Sequence, residues 1–139
     1  MKKNFLVIGN PIEHSLSPRL HNYWIEKNNI DAGYNKKLLE EGDIKKLIID
    51  FKEERIHGIN VTVPFKKKII PFLDELSDEA KNSYSVNTIS KNNDKIVGHN
   101  TDIFGFETGL EKSNQNIKDK KVLILGAGGV VSSIIIALK

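Results

Sequence analysis

The apolar and polar positions of this chain change period several times, and each change marks an element. Residues 5–8 are a short apolar run halted by Gly9-Asn10-Pro11, the pattern of a buried strand. Ser17-Pro18 opens a helix with Ser17 as its cap, and Leu20, Trp24 and Ile25 are expected to face inward until Asn28-Asn29 ends it. Residues 34–39 fit a second strand. Asp43 caps the most regular helix, in which Ile44, Leu47, Ile48 and Phe51 recur at i, i+3, i+4 and i+7. Ile59, Val61 and Val63 then alternate with Asn60 and Thr62, a strand that closes where Pro64 takes the first position of a helix. Residues 83–90 and 95–98, joined at Asn92-Asn93-Asp94, predict a hairpin. Thr101 or Asp102 caps a helix carrying Ile103, Phe106 and Leu110, and residues 113–120 form a polar connector. Val122-Leu123-Ile124-Leu125 is an all-apolar strand, and Gly126-Ala127-Gly128-Gly129 leads from it into a helix over 130–139.

Strands alternating with helices predict an α/β fold, a three-layer sandwich around a mostly parallel sheet, over residues 1–118. Residues 119–139 differ in kind. One apolar strand, a glycine turn and one helix match the opening of a Rossmann fold, which needs several such units, so this stretch predicts an incomplete nucleotide-binding domain.

Composition narrows the class. With 139 residues, 39% hydrophobic and 28% charged, the chain predicts a globular protein. A net charge of +3 from scattered basic residues does not imply nucleic acid as a partner. No cysteine is present, which removes disulfides and thiolate metal sites and fits a cytoplasmic protein. The N-terminal apolar run is broken too soon for a signal peptide or membrane helix. The four histidines show no ligand spacing with Asp or Glu, so no metal is assigned.

Candidate chemistry gathers at predicted strand ends, where open α/β sheets bind ligands. Lys66 falls in the opening turn of a helix, beside Lys67 and Lys68. The peptide dipoles and the neighbouring cations both disfavour an ammonium there, as an acid/base lysine requires, while three solvated lysines on a helix face would look the same. Ser15 and Ser17 present two hydroxyls at a helix start, suited to a carboxylate or simply to a turn and a cap. Asn87 and Asp102 offer an amide and a carboxylate, or a turn residue and a helix cap. Gly126-x-Gly128-Gly129 suits backbone amides approaching a pyrophosphate, or a tight strand-to-helix turn.

Order and spacing say more than any one motif. Gly9-Asn10-Pro11-Ile12, His14-Ser15-Leu16-Ser17-Pro18, Asn60-Val61-Thr62-Val63-Pro64-Phe65-Lys66, Val86-Asn87-Thr88, Gly98-x-Asn100-Thr101-Asp102 and Gly126-Ala127-Gly128-Gly129 together resemble the shikimate dehydrogenases over nearly the whole chain. The resemblance implies reversible NADP-dependent reduction of 3-dehydroshikimate to shikimate in a cleft between two domains. It implies that Ser15 and Ser17 hold the substrate carboxylate. Asn60, Thr62, Asn87 and Asp102 would bind its hydroxyls, and Lys66 would be the acid/base group paired with Asp102. Gly126, Ala127, Gly128 and Gly129 would meet the cofactor. The chain departs from the family pattern at His99, where Asp is frequent, and at residues 130–133, which supply no basic residue. The rest of the nucleotide domain lies outside this sequence. The chain is therefore expected to be the substrate half, without turnover alone, or else a non-catalytic shikimate-binding or assembly module. Its apolar C-terminal βα unit is expected to pair or exchange with a second copy, making a homodimer.

Overall fold

A computed structural model describes residues 2–114 and 116–139. Met1, at the head of the N-terminal run, and Gln115, inside the predicted connector, lie outside the described residues. The strands are β1 (Lys3–Gly9), β2 (Ala32–Leu38), β3 (Gly58–Val61), β4 (Glu75–Leu76), β5 (Thr88–Asn92) and β6 (Lys95–His99). The helices are α1 (Ser17–Lys27), α2 (Ile44–Lys52), α3 (Phe65–Lys68), α4 (Asp78–Ser83), α5 (Asp102–Lys112) and α6 (Val131–Ala137).

The six strands of the described residues form one sheet in the order β2-β1-β3-β5-β6-β4. The β1–β2, β1–β3 and β4–β6 pairs run parallel, while β5 runs antiparallel to both β3 and β6. Side chains alternate across β1. Leu6 and Ile8 enter the larger core with Ile59, Val61 and Ile89 and the α2 residues Ile44, Leu47, Ile48 and Phe51. Val7 and Phe5 face the other way, joining Tyr34, Ile12 and Ile25 of α1. The sheet thus lies between two layers, as the alternation predicts. Burying a side chain of this size contributes about 1.5–3 kcal/mol. The four buried residues of α2 therefore hold that helix far more firmly than a cap worth about 1 kcal/mol, and Asp43 makes no side-chain cap bond.

Several predicted details change. Helix α1 buries no residue: Leu20 is 49% and Trp24 47% exposed, and only Ile25 meets the core. Ser17 lies inside its first turn, and its N–H is taken by the Ser15 hydroxyl at 3.3 Å. The strand predicted over 83–90 starts only at Thr88, because Ser77 caps α4 through the Ala80 N–H and Tyr84 ends that helix in the left-handed region. The hairpin turn itself stands where expected, with Asn93 at φ 53°. Strand β3 stops at Val61, so Val63 is 55% exposed and does not share the face of Ile59 and Val61. Pro64, after a cis Val63–Pro64 bond, precedes α3 rather than opening it.

The largest change is in the tail. Residues 122–125 form no strand, and Leu123 and Leu125 are 82% and 88% exposed. An extended segment becomes a strand only by pairing, and among the described residues no strand pairs with it. Helix α6 does form, and it packs on α5 and α4 of the same chain with Ser133 fully buried.

Candidate active site

The carboxyl ends of β1 and β3 and the start of β5 meet on one edge of the sheet, and most of the predicted site residues cluster there. Strand β3 presents Asn60 between buried Ile59 and Val61 because side chains alternate. Thr62 is half-buried where the chain leaves the sheet. Its N–H still donates to Ile8 O at 3.0 Å, and its Cγ2 lies so near Gly9 that a Cβ there would stand 2.7 Å away. Buried Phe65 anchors α3, and Lys66 is placed on that turn.

Lys66 Nζ donates to Asp102 Oδ2 at 2.6 Å, with side-chain exposures of 13% and 22%. The neighbouring lysines differ: Lys68 pairs with Glu41, and Lys67 is exposed. Asn87 Nδ2 donates to the other carboxylate oxygen, Asp102 Oδ1, at 2.9 Å. Asn87 Oδ1 accepts the Thr101 N–H at 3.0 Å, which joins the start of β5 to the start of α5. The contacts continue away from Lys66. Thr88 Oγ1 donates to Asn87 Oδ1 at 3.1 Å, and Asn60 Nδ2 donates to Thr88 Oγ1 at 3.1 Å. Tyr34 then donates its phenol to Asn60 Oδ1 at 2.6 Å. An unbroken set of side chains therefore runs from Lys66 through Asp102, Asn87, Thr88 and Asn60 to Tyr34.

Tyr34 was not a sequence candidate. It is 4% exposed, and burial pushes its phenol up to about 12. Ser17 and Ser15 are joined to each other, the Ser17 N–H donating to Ser15 Oγ at 3.3 Å. His21 stacks on the Tyr34 ring, with centroids 4.2 Å apart and planes 4° apart, and burial lowers its imidazole pKa below 6.5. Asn100 was missed as well. Its Oδ1, and not a Thr101 or Asp102 side chain, accepts the first amides of α5. An Asn two residues before the predicted helix was the available signal.

The glycine turn stands next to this pair. Gly126 adopts φ +120°, a conformation few other residues adopt, and no atom lies within 4 Å of where its Cβ or that of Gly128 would be. A Cβ on Gly129 would meet the Lys66 Cδ at 3.7 Å. Between Val63, Pro64, Lys66–Lys68 and Ala127–Gly129 lies an open cavity of about 350 Å³. Bare backbone facing three lysines fits the approach of an anionic, phosphate-bearing group. Together the site offers an ammonium held by a carboxylate, amides and hydroxyls along one edge, and a bare turn beside them.

Comparison with known proteins gives the family and the fold. A model of the family described as shikimate dehydrogenase substrate binding domain matches residues 7–89. The chain is 68% identical over its whole length to the shikimate dehydrogenase (NADP(+)) of Pelagibacter ubique, covering 52% of that protein. It superposes on the crystal structure of shikimate dehydrogenase from Aquifex aeolicus with a TM-score of 0.92 at 42% identity, over 99% of this chain and 52% of that one. A Listeria monocytogenes shikimate 5-dehydrogenase in complex with shikimate and NAD matches with a TM-score of 0.90 at 33% identity, over 99% and 47%. The chain spans about half the length of the curated relatives it matches.

Proposed function

We propose, since this chain belongs to the family of shikimate dehydrogenase substrate-binding domains, that it is the substrate half of a cytoplasmic NADP-dependent enzyme interconverting 3-dehydroshikimate and shikimate. The observation that carries this reading is the Lys66–Asp102 pair at the end of the side-chain set. A carbonyl that gains hydride at carbon develops negative charge on its oxygen. The Lys66 ammonium stabilises that charge and donates the proton, and Asp102 holds the ammonium in place. In the oxidative direction the Lys66 amine takes the hydroxyl proton back. Asn87 fixes the other Asp102 oxygen and, with Asn60, Thr62 and Asp102, recognises the ring hydroxyls. Ser15 and Ser17 hold the carboxylate. The partner is thus a small polar acid rather than nucleic acid or a membrane; no helix among the described residues is long and apolar enough to cross one.

NADPH would supply the hydride for reduction and NADP+ would accept it in the reverse direction, and Gly126, Ala127, Gly128 and Gly129 are the residues of this chain that would hold the cofactor. Residues 1–118 form the substrate domain in this reading, and 119–139 begin the nucleotide domain. One turn and one helix do not position a nicotinamide against a substrate carbon, so this chain alone binds shikimate without turning it over. Supplying the second half of the Pelagibacter ubique relative in trans tests the reading. NADPH-dependent reduction of 3-dehydroshikimate that disappears in Lys66→Ala is expected, and a mixture that associates yet stays inactive contradicts it.

The exposed Leu123 and Leu125 favour one addition. In the absence of a further strand the segment 122–125 pairs with that of a second copy, giving a homodimer. Light scattering should show twice the chain mass at high concentration, whereas a monomer there defeats the dimer without touching the substrate site.

A further inference from the structure

One carboxamide lies at the junction of everything around the acid/base pair. Asn100 is 4% exposed and uses both ends of its side chain. Its Oδ1 accepts the N–H of Asp102 at 2.9 Å and of Ile103 at 3.3 Å, so it holds the helix end from which Asp102 projects. Its Nδ2 has three acceptors in reach: Ser133 Oγ at 2.8 Å, Ser83 Oγ at 2.9 Å and Ser85 O at 3.0 Å. These belong to α6, to α4 and to the segment before β5. Ser85 in turn donates its hydroxyl to Gly129 O at 3.2 Å, and Gly129 lies along the Lys66 side chain. Ser83, Ser85 and Ser133 are all buried, so these bonds form where an unmade one costs about 1–3 kcal/mol. A ring of contacts therefore closes from Lys66 through Asp102, Asn100, Ser85 and Gly129 back to Lys66, with Ser133 of α6 bonded to the same Asn100 amide.

We infer that Asn100 is a positioning residue that ties α6 and its glycine turn to Asp102, so that the turn and the Lys66–Asp102 pair shift together. The importance of that pair rests on the dehydrogenase reading; the tie itself rests only on the contacts. An apolar residue at position 100 would leave the Asp102 and Ile103 amides without their acceptor and the buried Ser133 hydroxyl without its donor, whereas Ser85 O would keep the Ser83 hydroxyl at 3.3 Å. Coupling of this kind works in both directions.

Ser133→Ala in the 139-residue chain tests it, because Ser133 touches neither Asp102 nor Lys66 in this set of bonds. The expected result is a change in the Asp102 and Ile103 amide signals and in the Lys66 side-chain methylene signals, with faster amide exchange at Asp102. A purely local packing role would confine the changes to α6 and its immediate contacts, and that result overturns the inference. Asp102→Asn, at a partly exposed position, reads the same link in reverse and should move the Ser133 and Gly129 signals; silence there also overturns it. Shikimate added to the same samples separates the two readings. If the unsubstituted chain does not bind, the functional reading fails while the signal changes still decide the coupling. If it binds and Ser133→Ala leaves position 102 unmoved, the coupling fails and the function stands.

Discussion

Lys66 and Asp102, 36 residues apart in sequence, meet at 2.6 Å with most of both side chains removed from water. Exposed ion pairs contribute about 0.2–1 kcal/mol, and breaking a fully buried one costs about 3–5 kcal/mol. Intermediate burial places this pair between them. A double-mutant cycle of Lys66→Met and Asp102→Asn should give a coupling energy of about 1–2 kcal/mol by urea denaturation. A coupling near zero would mean that the two side chains do not hold each other in solution.

Gly9 is required for a different reason, namely close approach. An added Cβ would come within 2.7 Å of Thr62 Cγ2, 2.9 Å of Ile12 Cδ1 and 3.2 Å of Val63 O. Gly9→Ala should destabilise the chain by about 1–3 kcal/mol, as overpacking usually does, and weaken shikimate binding by displacing Thr62. A stable variant with unchanged affinity would show that Thr62 has room to move without consequence.

Burial lowers the His21 pKa below 6.5, so the unfolded chain takes up that proton at higher pH than the folded one. The stability His21 contributes is complete above about pH 6.5 and is lost as pH falls through its folded midpoint. His21→Phe keeps a ring against Tyr34 and removes the titration. The urea midpoint should therefore drop more between pH 7.5 and 5.5 (roughly the window His titrations span) in the unsubstituted chain than in the variant. Parallel losses would contradict the burial of this imidazole.

Leu123 and Leu125 stand in water, so replacing both with lysine should change unfolding free energy by less than about 0.5 kcal/mol. The same change should abolish any dimer made through residues 122–125. A large loss of stability would show that the tail packs into the fold.

The α2 stripe, the β3 alternation and the hairpin turn were legible because one local period or one turn set each of them. The site edge followed, since Asn60, Lys66 and Asp102 stand at the ends of those elements. What local pattern could not show was partnership. Residues 122–125 have the composition of a buried strand, yet a strand exists only beside another strand. Leu20 and Trp24 have helical spacing, but the face of α1 that they occupy meets no second layer. Asn100 and Tyr34 escaped notice because each takes its meaning from contacts far along the chain.

The central claim, a substrate site already formed within these 139 residues, is tested most directly by titrating the isotopically labelled chain with shikimate and following its amide signals. Saturable shifts centred on Ser15, Ser17, Thr62, Lys66 and Asn87, abolished by Lys66→Ala and Thr62→Val, are the predicted result. A dispersed spectrum that does not move at any shikimate concentration would contradict it.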